Sequence, residues 1–269
     1  MHVNEASSTG GRLFTSRTPR VVAARRLQRR RDRDHTGRFL AEGPQAVREA
    51  LTAGVVRELF GTESALSRHA DLALLAPAVA AVTEEALQAL AETVSPQGLV
   101  AVCDQADVPL SDVLDGRLVA VAAGIRDPGN AGTVLRTADA AGAGAVVFAG
   151  DAVDPYNGKC VRASAGSLFH VDVVRERDAG AVVRTLRRAG FLVLAATGHG
   201  DDDLDDLLDR GLLGQRTAWL FGSEAHGLTD DLLAAADRRV RVPIYGGAES
   251  LNLAAAAAVC LYASARAQR

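Results

Sequence analysis

Short runs of apolar residues, each followed by a stretch with helical spacing, recur through the carboxy-terminal half of this 269-residue chain. Residues 118–123, 145–149, 171–174, 191–196, 218–221 and 240–242 read as strands, and 132–141, 179–189 and 251–267 as helices. Strands buried on both faces lose the polar alternation of a half-exposed sheet. Strands that alternate with helices run mostly parallel, with helices on both faces. The expected class is therefore α/β, and the carboxyl ends of its strands share one edge, where such sheets bind ligands.

A smaller array precedes this one. Residues 39–43 read as a strand, 44–53 as a helix with Pro44 in its first turn, and 55–60 as a strand; two helix and strand pairs follow through 84–91 and 99–103. Residues 105–115 are polar and contain Pro109, which marks a linker. The expected organisation is an arginine-rich extension (1–36), a small α/β domain (37–104), a linker (105–115) and a larger α/β domain (116–269). The acidic run 201–209 reads as a solvated loop and helix start.

At 48% hydrophobic and 23% charged residues the chain is not disordered. Residues 1–11 lack the apolar core of a signal peptide, and the apolar stretch 253–265 is too short to cross a bilayer, so a cytoplasmic protein without a membrane anchor is expected. Cys103, Cys160 and Cys260 stand far apart and offer no zinc site, so no metal is expected. Between Arg12 and Arg38 lie ten arginines and two acids, Asp32 and Asp34; this block carries +8 and the rest of the chain −11. Such a block points to a polyanion partner, the alternative being a solvated helix face with no specific partner.

Three segments sit at strand ends. In 127–136, Gly129, Asn130 and Gly132 fall between a strand and a helix, where positive φ and close backbone approach are expected, and Arg136 projects from the helix. An arginine there can hold a phosphate bidentately. Segment 222–227 follows Trp219-Leu220-Phe221; Gly222 leaves the backbone open to a ligand, and Glu224 orients a neighbour or caps a helix. In the third, Ser250 and Asn252 are both strong N-cap residues at the start of a long helix.

Asn130 with Arg136, Gly222 with Glu224 and Gly227, and Pro243 with Ser250-Leu251-Asn252 resemble, in order and spacing, the three motifs of the SpoU/TrmH family of RNA ribose 2'-O-methyltransferases. The resemblance spans 118–266, and Val153-Asp154-Pro155-Tyr156 and 162–170 are similar to the stretch between the first two motifs. The smaller array, with 39–43, resembles the family's RNA-binding domain. The resemblance implies a trefoil-knotted SPOUT fold, S-adenosylmethionine as methyl donor, a homodimer with shared site residues, and RNA as partner. By position it implies Gly222, Val242, Leu251, Leu220 and Ile244 at the cofactor. It puts Arg136 beside the ribose 2'-oxygen, with Asn130 positioning it and Glu224, Ser250 and Asn252 bracing the site.

The implied reaction is in-line transfer of a sulfonium methyl to a ribose 2'-oxygen, a group that separates RNA from DNA. Arginine's high pKa makes Arg136 a poor base by itself, which leaves substrate-phosphate assistance or orientation of the hydroxyl open. The separate small domain favours ribosomal RNA, of the 23S class, over tRNA. Two other readings are a catalytically inert RNA-binding module and a nicotinamide-dependent oxidoreductase. For the latter, Gly142-Ala143-Gly144 follows a helix and precedes a strand, the reverse of a dinucleotide fingerprint.

Overall fold

The structure is a computed structural model that describes residues 13–269; the expectations for residues 1–12 lie outside the described residues. The chain forms two units, divided between Asp104 and Gln105.

In the first unit the strands are β1 (Arg38–Glu42), β2 (Val56–Gly61), β3 (Val79–Ala81) and β4 (Leu99–Asp104). Its helices are α1 (Pro19–Arg26), α2 (Arg30–Thr36), α3 (Pro44–Thr52), α4 (Glu63–Arg68), α5 (Ala70–Leu75) and α6 (Glu84–Leu90). The sheet order is β1-β4-β2-β3, antiparallel except for the β2–β3 pair. The expected extension ahead of Gly37 is packed structure from α1 onward. Val21, Ala24 and Leu27 are buried against Phe60, Leu87, Leu90 and Val100, and Arg33 is buried with its guanidinium donating to the carbonyls of Leu27 and Gln28. The charge of this segment hides an apolar face with helical spacing at 21, 24 and 27.

The remaining arginines divide. Arg20, Arg30 and Arg38 pair with Glu58, Asp34 and Asp104. The side chains of Arg17, Arg25, Arg26, Arg29 and Arg31 are exposed and have no partner among the described residues.

The second unit holds seven parallel strands: β5 (Leu118–Ala123), β6 (Ala145–Ala149), β7 (Asp172–Glu176), β8 (Leu192–Ala196), β9 (Asp202–Asp203), β10 (Thr217–Phe221) and β11 (Arg238–Arg241). They lie in the order β7-β6-β5-β10-β8-β11-β9. Between and after them come α7 (Pro128–Ala141), α8 (Gly158–Ala163), α9 (Ala179–Arg188), α10 (Leu204–Asp209), α11 (Asp230–Ala235) and α12 (Leu253–Ala267). Val119, Val121, Val193, Ala218 and Leu220 face α9 and α11, packing on Val182, Leu186 and Leu232. The alternate residues face α7 and α12, and Trp219 donates from Nε1 to Ser264 Oγ of α12 at 2.9 Å. The α/β class and parallel sheet expected from the strand runs are present.

Two expectations change. The linker 105–115 joins the second unit from its start: Asp107 accepts from Tyr156 and Arg175, Val108 N–H donates to the Val173 carbonyl, and Val113 is buried in the core. The acidic run 201–209 starts a helix as expected, α10, but the strand β9 stands where a loop was expected, and Leu204 and Leu207 are buried. Its carboxylates meet arginines of β11, Asp202 facing Arg238 and Asp203 facing Arg241.

Candidate active site

The edge of the second sheet where β5 and β10 end side by side gathers the three motif segments. Asp127 caps α7, accepting from Asn130 N–H at 2.9 Å, so Gly129, Asn130 and Gly132 lie inside the first turns of the helix rather than in a loop before it. Neither Gly129 nor Gly132 has positive φ. Gly132 answers to the other expectation, close approach: a Cβ there would stand 2.5 Å from the Cys160 carbonyl oxygen of α8. Lys159 Nζ, 2.8 Å from Asp127, holds the cap and lowers the Asp127 carboxyl below the usual range.

At the end of β10, Ser223 and Gly227 exchange two backbone hydrogen bonds of 2.9 Å and close the 222–227 segment into a tight turn. Gly222 lies under it, where a Cβ would be 2.1 Å from the Gly227 carbonyl carbon, so no larger residue fits without moving the backbone. The turn points Glu224 at the start of α7, where its carboxylate accepts from Arg126 N–H and Asp127 N–H, both at 3.2 Å, and from Asn130 Nδ2 at 2.9 Å. Burial alone would raise this carboxyl. The bonds from Asn130, its own backbone and the two amides outweigh that and hold it below the ordinary glutamate value.

The third segment completes a relay. Asn252 is the N-cap of α12: its Oδ1 accepts from Ala254 N–H at 2.9 Å and Ala255 N–H at 3.4 Å. Those donors fix the amide, so Nδ2 faces outward and donates to Asn130 Oδ1 at 3.3 Å. Asn130 in turn presents Nδ2 to Glu224. Glu224, Asn130 and Asn252 form one directed chain of hydrogen bonds in which no amide can flip without losing an acceptor. Ser250 lies before the cap and makes no capping bond among the described residues.

Beside the relay is a cavity of about 440 Å3. Gly222, Val242, Ile244 and Leu251, all expected at the cofactor, line it together with Glu224, Ser250 and Asn252. Thr197 and Gly198, after β8, line it too and were not anticipated; only the strand order, which sets β8 beside β10, puts them there. Leu220 is not among its lining residues: it is fully buried in β10 with the core. Ile244 and Leu251 leave 38% and 39% of their surface exposed at the rim, apolar groups without cover in the single chain. Arg136 is exposed, outside the lining, and has no partner among the described residues. It sits six residues beyond Asn130, about 9 Å along the helix.

The described residues contain no cluster of three or more metal-ligating side chains and no helix long and apolar enough to cross a membrane. All three cysteines are free and buried, and burial pushes the Cys260 thiol up to about 12.

Known proteins share this architecture. A solved AdoMet-bound rRNA methyltransferase from Sinorhizobium meliloti superposes with a TM-score of 0.83 at 31% identity, covering 95% of this chain and 97% of that one. The SpoU methyltransferase AviRb from Streptomyces viridochromogenes, solved with AdoMet, gives 0.78 at 31% identity over 93% and 98%. In sequence, the 23S rRNA (guanosine(2553)-2'-O)-methyltransferase RlmP of Bacillus subtilis is 34% identical over 93% of this chain and 97% of its own. Residues 18–101 match the MRM3-like substrate binding domain. Since residues 117–262, which carry the relay and the cavity, match the model of the SpoU rRNA Methylase family, the chain belongs to that family.

Proposed function

We propose that this protein transfers the methyl group of S-adenosylmethionine to a ribose 2'-oxygen of ribosomal RNA, of the 23S class. The observation that carries the reading is the Glu224–Asn130–Asn252 relay, which ties three distant segments together at the mouth of the cavity. The cavity volume lies within the range of about 300–1,000 Å3 that small ligands occupy, and its Gly222 wall admits close backbone contact. Gly222, Val242, Ile244 and Leu251 would hold the donor, which when bound supplies an electrophilic methyl.

This chain's residues do the rest. Asn130, locked between Glu224 and Asn252, holds the start of α7 against the cavity mouth, so the hydroxyl meets a fixed polar edge. Arg136 orients that hydroxyl and stabilises negative charge developing on its oxygen. Its place outside the cavity lining of one chain favours a homodimer in which Arg136 serves the partner's site. The exposed Ile244, Leu251, Val259 and Tyr262 supply an apolar face for that contact. The trefoil knot of the SPOUT fold and a cytoplasmic location complete the proposal. The unpaired arginines of residues 17–31 bind RNA phosphates.

Incubation with labelled donor and total RNA, followed by mapping of 2'-O-methylated positions, tests the reading. A single new site in 23S rRNA is expected; methylation confined to tRNA, or none, overturns it. Arg136→Lys keeps the charge and loses the planar fork, and is expected to slow transfer at least about tenfold; a rate near that of the unaltered protein refutes a special guanidinium role.

A further inference from the structure

A second cavity, of about 760 Å3, lies on the other side of the 222–227 turn. It opens where β5 and β6 end at Gly124 and Gly150 and extends to the start of α9. Ser223 and Gly227 line both cavities, so the turn beside the first is a wall of the second. The chain lays β6 and β7 on one side of β5 and β10, β8 and β11 on the other, and this reversal between β5 and β10 is where open parallel sheets form ligand crevices. None of the residues expected to be catalytic or to hold the cofactor lines it.

Its charged groups are Arg126 and Arg184 against Asp151, Asp178 and Asp231, with His226 at the turn. Two guanidiniums and three carboxylates leave no excess of positive charge, which disfavours a free polyphosphate. Mixed donors and acceptors suit the edge of a nucleobase, and a guanidinium or imidazole plane offers a surface to an unstacked one. Asp178 is engaged: it caps α9 through Ala181 N–H at 2.9 Å and faces Arg184 at 3.5 Å. The Arg126 side chain has no partner among the described residues, while its backbone N–H is held by Glu224, which fixes its place between the two cavities. Arg184 also lines a further cavity with Arg187, Arg188 and Asp237, where Arg187 meets Asp237 at 2.8 Å.

We propose that this second cavity receives a base of the RNA strand adjoining the methylated nucleotide, with Arg126 and Arg184 on the flanking phosphates. The identity of the polymer rests on the methyltransferase reading. The two cavities then divide the work, one holding the methyl donor and the other setting which ribose reaches it.

The test uses the full chain with Arg126→Ala/Arg184→Ala and, separately, Asp231→Asn. Affinity for protein-free ribosomal RNA and for a short single-stranded oligoribonucleotide is measured beside donor affinity, which reports folding of the first cavity. The double variant is expected to bind RNA about tenfold more weakly and to raise KM for RNA with little change in kcat or donor affinity. Asp231→Asn is expected to alter base preference among oligoribonucleotides of different sequence. Photo-crosslinks from 4-thiouridine beside the target should fall within 123–126, 149–151, 178–184 or 223–235. Unchanged RNA affinity and KM in the double variant, or crosslinks wholly outside those segments, overturn the proposal while leaving the methyltransferase reading intact. Crosslinks inside them from a protein that methylates no RNA sustain this site and overturn that reading.

Discussion

The two units use arginine in opposite ways. In the second, Arg216 donates to the carbonyls of Leu114, Gly116 and Ala189, and Arg175 is bound by Asp107 and Gln105, so these two guanidiniums are structural ties, while the side chains of Arg126 and Arg136 at the site have no partner among the described residues. In the first, Arg33 serves that way and Arg20, Arg38, Arg48 and Arg57 meet carboxylates, while Arg17, Arg25, Arg26, Arg29 and Arg31 stand exposed within fifteen residues and without partners among the described residues. Free charges close together in the chain sum into a field that salt screens over about 8–10 Å. Hydrogen bonds at a site with fixed backbone partners act only at contact and are screened far less. On the proposed reading the first unit's arginine cluster attracts a polyanion at range, and the second unit discriminates by fit.

The sharpest break of this contrast is at Gly222. Gly222→Ala drives a methyl into the Gly227 backbone and is expected to cost about 3 kcal/mol of stability and abolish donor binding, followed by thermal unfolding and calorimetry. A variant that still binds donor would show that the turn yields, and that fit is not what the second unit supplies. Next comes Glu224→Gln, which keeps the shape but turns an acceptor-only group into one that presents a donor to Arg126, Asp127 or Asn130. Methyl transfer should fall about a hundredfold, a loss of about 2.7 kcal/mol in transition-state stabilisation. That loss should not vary between low and high salt.

Replacing Arg25, Arg26, Arg29 and Arg31 together by Ala should leave folding and donor affinity in place and weaken RNA binding. The plot of log affinity against log salt should flatten by about 0.7–0.9 per lost phosphate contact. An unchanged slope would reduce these arginines to solvated surface. The smallest effect is with pH. The Glu224 carboxyl is held below its ordinary value, so its contribution is fully present above the unfolded value of 4.5 and is lost as pH falls through the folded one. The difference in Tm between the unaltered protein and Glu224→Gln should therefore shrink as pH is lowered below about 4.5.

The core strands were legible because burial on both faces writes an unbroken apolar run, as in β5, β6 and β10. What escaped were elements whose stability comes from elsewhere in the chain. β9 is two aspartates in length and exists because Arg238 and Arg241 meet them; nothing within 201–209 announces that. α1 was hidden by the charges around its three apolar contacts. At the site, the residue types and their convergence were visible, but the acceptor role of Glu224 toward the Arg126 and Asp127 amides was not, since backbone partners leave no mark in a sequence. Leu220 stood one strand position from a wall and faces the core, because side chains alternate across a sheet.

Asn130 and Asn252, joined by one hydrogen bond, are separated by 122 positions. During synthesis a growing chain thus holds its first unit and much of the second sheet long before the last helix emerges to close the relay. On the proposed reading, a nascent fragment ending ahead of Asn252 lacks the bond to Asn130 and the cap of α12, and methyl transfer waits until the site is translated.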